Sequence, residues 1–167
     1  CTYKTEGSIR TTTGSGFFIS PKGAVLTNAH VAQFMLLEKS NRDGTTNCVI
    51  RAGNPATTAY EAKLLYISAA WISENANLID VEVPVGTGER DYALLFPSAS
   101  LNPEPLPAQF PYLNIHTAEL SETNQFDNVA VAGYPADPLY EEGAGAPLPF
   151  ISADTVITDL FTFNRDT

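Results

Sequence analysis

The segment Gly16-Phe17-Phe18-Ile19-Ser20-Pro21-Lys22-Gly23-Ala24-Val25-Leu26-Thr27 constrains this chain more than any other. Two short apolar runs flank Pro21-Lys22-Gly23, where proline presets φ and glycine tolerates the positive φ a tight turn needs. That is a β-hairpin, and the same grammar recurs along the chain. Residues 48–51, 59–68, 90–96, 128–133 and 155–163 read as further short strands bounded by turn residues. The second of these puts Tyr60, Ala62, Leu64 and Tyr66 on one face, and Pro97 closes the third. Helical signal is confined to 29–37, with Val31, Phe34, Met35 and Leu37 inward, and to an irregular turn around Trp71 within 69–78. The sequence predicts an all-β chain.

Composition agrees. Apolar side chains make up 44% of the 167 residues, enough for a core, and charged residues only 17%. Glycine and proline together fill 23 positions, which suits turns better than a helical bundle. No run approaches the roughly 18 apolar residues of a membrane-spanning helix. Four prolines, Pro103, Pro105, Pro107 and Pro111, break up the stretch 98–127, which reads as a linker. The division expected is a complete β-barrel over 1–97, that linker, and the start of a second barrel over 128–167.

Charge is unevenly spread. Residues 1–90 carry eight basic and eight acidic side chains, whereas 91–167 carry eleven acidic residues and only Arg165. Phosphate binding needs clustered Lys and Arg, so nucleic acid is not an expected partner. The bland reading of the acidic half is a solvated face that aids solubility. Cys1 and Cys48 are too few for a disulfide framework and lack metal-site spacing, so free thiols are expected. A leading cysteine is also where a bacterial lipoprotein carries its lipid. Neither a metal nor another cofactor is expected: Asn41-Arg42-Asp43-Gly44 lacks the ligand series of a calcium loop, and no phosphate-cradling glycine loop occurs.

Two residues can carry chemistry. His30 ends a strand in Thr27-Asn28-Ala29-His30-Val31, and a general base must be anchored on a rigid element yet exposed at its rim. Asp91 opens Asp91-Tyr92-Ala93-Leu94-Leu95, where a half-buried carboxylate facing a histidine would fix its tautomer. Read singly, His30 is a structural histidine and Asp91 a solvated strand end. His116 falls in the polar linker and reads as exposed.

Together they resemble a family. The run from Gly14-Ser15-Gly16 through the hairpin to Thr27-Asn28-Ala29-His30-Val31, the Asp91–Leu95 strand, and Val129-Ala130-Val131-Ala132-Gly133-Tyr134-Pro135 are similar, in order, to trypsin-like serine proteases, closest to the bacterial HtrA-type branch. The resemblance implies a double β-barrel, a polypeptide substrate, an extracytoplasmic setting, His30 as general base and Asp91 as its orienting partner. The family's nucleophile lies in a G-[DN]-S-G-G-P segment, and the sequence contains none. Of its ten serines, Ser15 reads as part of the turn supporting the hairpin, and Ser152 lacks neighbouring glycines, so the nucleophile is unknown. The 61 positions between His30 and Asp91 imply enlarged loops around 40–47 and 69–88. Three readings stay open. The chain is the first part of a serine endopeptidase whose nucleophile lies beyond Thr167, a pseudoprotease that binds protein, or a structural β-protein with a coincidental motif.

Overall fold

A computed structural model describes residues 1–39, 44–81, 88–116, 118, 120–143 and 145–161. Ten short strands dominate it. β1 (Thr2–Lys4), β2 (Ile9–Thr11) and β5 (Thr45–Asn47) form a small sheet in the order β2-β1-β5. β3 (Phe17–Phe18), β4 (Val25–Thr27), β6 (Val49–Gly53), β7 (Ala56–Ile67) and β8 (Ala93–Ser100) form a curled five-stranded antiparallel sheet in the order β3-β4-β8-β7-β6. β9 (Asn128–Gly133) and β10 (Ile151–Val156) pair as a ribbon. Where a closed barrel was expected over 1–97, the described strands make this open, curled sheet beside the smaller one.

The hairpin reading of 16–27 holds: Phe17 pairs with Leu26 and Phe18 with Val25, and Gly23 takes φ +92° in the turn. Its tip is closed by Phe110, which stacks on Phe18 at 4.6 Å and meets Tyr60 edge-on at 5.6 Å. Phe110 is buried, and its N–H donates to the Pro21 carbonyl at 3.0 Å. The proline-rich stretch has no regular strand among the described residues between 101 and 121, yet it packs on the hairpin.

Two strand expectations shift for physical reasons. β8 runs through Pro97 to Ser100, because β4 pairs with β8 only as far as Leu95. Beyond that point β8 has β7 alone for a neighbour, so a missing N–H on its open side costs no ladder bond. In β7 a bulge falls between Leu64 and Tyr66, which face Leu95 and Leu94. The extra residue inverts the alternation, so Tyr66 is exposed rather than sharing the face of buried Ala62. The last strand among the described residues lies at 151–156 rather than 155–161, and positions 162–163 of the expected strand lie outside those described.

The main core joins Val25, Ala62, Ala93 and Leu95 of the sheet to Ala32 and Cys48. A second cluster packs Tyr3 against Phe34 and Leu37. These last two belong to 29–37, which forms one α-helical turn, α1 (Ala29–Ala32), followed by a 3₁₀ segment Gln33–Lys39. Trp71 is buried in α2 (Ala69–Asn75), capped by the Ser68 hydroxyl accepting the Trp71 N–H at 3.2 Å.

The free-thiol expectation is overturned. Cys1 and Cys48 form a disulfide, joining the small sheet to the head of β6. Strand β1, paired on both sides, carries Cys1 to the buried Cys48, a proximity that cysteine density could not reveal. Among the described residues no helix is long and apolar enough to cross a membrane.

Candidate functional site

Strand register makes the site. Thr27 of β4 faces Ala93 of β8, the final pair of that ladder. Continuing the antiparallel register two steps brings Ala29 level with Asp91, so the residue after it, His30, meets the Asp91 carboxylate. His30 Nδ1 lies 2.7 Å from Asp91 Oδ2, and the His30 main-chain N–H donates to Oδ1 at 2.9 Å. The imidazole is 39% exposed and the carboxylate only 14%, so the acid is sheltered while the base remains reachable.

Because a carboxylate accepts at Nδ1, the neutral ring carries its proton there and leaves the Nε2 lone pair as the basic site. The arrangement can hold an imidazole oriented, take a proton at Nε2 and stabilise the imidazolium that results. Asn28 also contacts the acid: its Nδ2 lies 3.2 Å from the Asp91 carbonyl oxygen and 3.4 Å from Oδ2.

The approach to Asp91 is built by the residues just before it and by α2. Arg90 adopts φ +57°, an uncommon conformation for a side chain with a Cβ. Its guanidinium donates to Glu74 of α2 at 2.9 Å and pairs with Glu89 at 3.3 Å. The Asp91 N–H reaches the Gly88 carbonyl at 3.3 Å. The segment between β7 and Asp91 thus places a helix, α2, beside the turn that presents the acid. Nothing in the sequence marked Arg90 or Glu74, because their meeting depends on where α2 docks.

Ser15, read as a structural turn, does more than brace the hairpin. Its carbonyl accepts from Thr27 Oγ1 at 3.0 Å, and its hydroxyl accepts from the Tyr134 N–H at 3.1 Å. The Gly-Tyr-Pro turn after β9 is thereby tied to the strand that leads to His30. Tyr134 also donates through its hydroxyl to the Gly53 carbonyl at 3.1 Å, and Leu148 and Ala56 exchange two main-chain bonds. Ser152 lies on the exposed β10. His116 is exposed in its own segment. The Asn41–Gly44 reading falls largely on residues outside those described. A cavity of about 440 Å³, whose lining includes Ser15, Thr27, Val31, Tyr134 and the disulfide, contains neither His30 nor Asp91. Among the described residues no three His, Cys, Asp or Glu side chains cluster.

The family model of the trypsin-like peptidase domain matches residues 14–164, nearly the whole chain. The chain belongs to that family: its fold is mostly β, and a peptidase domain acts on polypeptide. No curated protein and no solved structure gives a significant match.

Proposed function

We propose that this chain carries the histidine and aspartate of a Ser-His-Asp endopeptidase of the HtrA-type branch. The observation that carries the reading is the double attachment of Asp91 to His30, at the ring Nδ1 and at the main-chain N–H. In this mechanism Nε2 of His30 removes the proton from a serine hydroxyl as that oxygen attacks the peptide carbonyl. The proton then passes to the leaving amine, and the Asp91 carboxylate stabilises the transient imidazolium. The serine and its oxyanion donors come from a glycine-flanked segment outside residues 1–167. The Ser15 hydroxyl accepts the Tyr134 N–H, which favours a structural role for it. The disulfide supports an extracytoplasmic setting, where such bonds persist.

The absence of a G-[DN]-S-G-G-P segment also favours a second reading, a protein-binding pseudoprotease that retains the pair. One experiment separates them. The 167-residue chain, and the same chain extended through the coding sequence after Thr167, are exposed to a serine-directed fluorophosphonate. The peptidase reading expects labelling of the extended form only, abolished by His30→Ala. An extended form that stays unlabelled supports the binding module. Labelling of the 167-residue chain at a single serine would locate the nucleophile among the ten already present.

A further inference from the structure

Asn28 occupies the N-cap of α1 with extended φ and ψ of −80° and 147°. A side chain there ordinarily accepts an N–H from the first helical turn, and asparagine is among the best residues for it. Asn28 makes no such bond. The second N–H of the helix, that of His30, is taken instead by Asp91 Oδ1, from 61 positions away. The carboxylate does the capping, and the Asn28 amide is released for another use.

That use is visible in its contacts. Nδ2 of Asn28 approaches two oxygens of Asp91, the main-chain carbonyl at 3.2 Å and Oδ2 at 3.4 Å. Both are pure acceptors, so the amide nitrogen and not its oxygen must face them. Oδ2 is the same oxygen that holds His30 Nδ1. The backbone at Asp91 needs such a hold. It follows the left-handed Arg90, precedes the first ladder pair at Ala93, and is otherwise fixed by turn bonds to Gly88 and from Tyr92 to Arg90.

We propose that Asn28 is a positioning residue. Its amide bridges the main chain and carboxylate of Asp91, holding Oδ2 against His30 so that the imidazole stays in the Nδ1–H tautomer. The inference rests on His30 and Asp91 being the base and its orienting acid. Asn28 touches no substrate in this scheme and acts only through Asp91.

The test uses the 167-residue chain with ¹⁵N-labelled histidine, read by long-range ¹H–¹⁵N spectra. There are two histidines, and exposed His116 serves as the internal reference. The unaltered chain is expected to show a low-field Nδ1 proton and the Nδ1–H tautomer at His30. Asn28→Ala, and Asn28→Asp, which keeps the shape but replaces the donor by an acceptor, are expected to mix the tautomers. Exchange of the Nδ1 proton should become about tenfold faster, the scale of one lost hydrogen bond. His116 and the methyl spectrum should not move, and Asp91→Asn, whose amide can donate to Nδ1, supplies the opposite-tautomer limit. A His30 signature unchanged in both Asn28 variants overturns the proposal. So does general loss of the methyl spectrum, which would assign exposed Asn28 to the fold instead. No substrate enters the measurement, so its failure leaves the peptidase reading standing, and a failed fluorophosphonate experiment leaves the Asn28 result standing.

Discussion

The main-chain N–H of Tyr134 donates to the Ser15 hydroxyl at 3.1 Å, joining residues 119 positions apart. The approach is close because residue 133 is glycine: a Cβ there would stand 3.1 Å from Ser15 Oγ. Ser15→Ala should cost about 0.5–1 kcal/mol, as expected for one exposed hydrogen bond. Gly133→Ala should cost more, because the added methyl presses on that oxygen. In the double variant the crowding atom is gone, so the two penalties should add to less than their sum. Urea denaturation of all four chains measures the coupling, and strict additivity would refute the contact.

The hairpin turn offers a second prediction. Gly23 combines φ +92° with a prospective Cβ only 2.9 Å from the Phe110 ring. Gly23→Ala should therefore lose about 2 kcal/mol or more, from left-handed strain together with displacement of a buried ring. Gly7, where an added Cβ meets nothing within 4 Å, is the matched control, and Gly7→Ala should be close to neutral. Equal effects at the two positions would contradict the packing of Phe110 on the turn.

Beside Asp91, Tyr92 stacks on Tyr66 with ring centroids 5.9 Å apart. The hydrogen bond to Tyr66, then charge repulsion from it, and last some burial hold the Tyr92 phenol above its ordinary value. A phenol raised on folding binds more protons in the folded chain than in the unfolded one. Stability should thus fall as pH rises from the ordinary tyrosine range through the folded-state value. Absorbance titration near 295 nm should show this late phenol, and Tyr66→Phe should return it toward about 10. A titration curve unaltered by that substitution would contradict the assignment.

The Cys1–Cys48 bond closes a loop of sequence separation 47. Loop-closure entropy for that length is about 4 kcal/mol, and measured values for such bonds are about 2–4 kcal/mol. Cys1→Ser, or reduction with dithiothreitol, should lower unfolding stability by that order. A loss below about 1 kcal/mol would mean that the small sheet holds residues 1–47 in place without the bond.

The strands around the hairpin, and the nearness of His30 to Asp91, were legible because they depend on local turn chemistry and on one ladder. Pro21-Lys22-Gly23 sets the hairpin, and the Asp91–Leu95 run supplies the partner strand for β4. What escaped was set by contacts distant in sequence. Tyr66 changed faces through a bulge that alternation cannot show, and Pro97 was tolerated because β4 had already ended. Phe110 looked like linker until it covered the hairpin tip. Asn28 stood in the motif from the start, but its place beside Asp91 emerged only when that carboxylate, two residues before β8, took over the helix cap.

The clasp between residues 1 and 48 also changes what a cut would do. A break in the main chain anywhere between them leaves both pieces in one covalent molecule, with β1 still threaded between β2 and β5. For a member of a peptidase family, exposed to cleavage by its own kind, a nick in the exposed turn at Glu6-Gly7 would add one water to the mass and release separate pieces only after reduction. The small sheet that supports the histidine segment through Tyr3, Phe34 and Leu37 would stay attached.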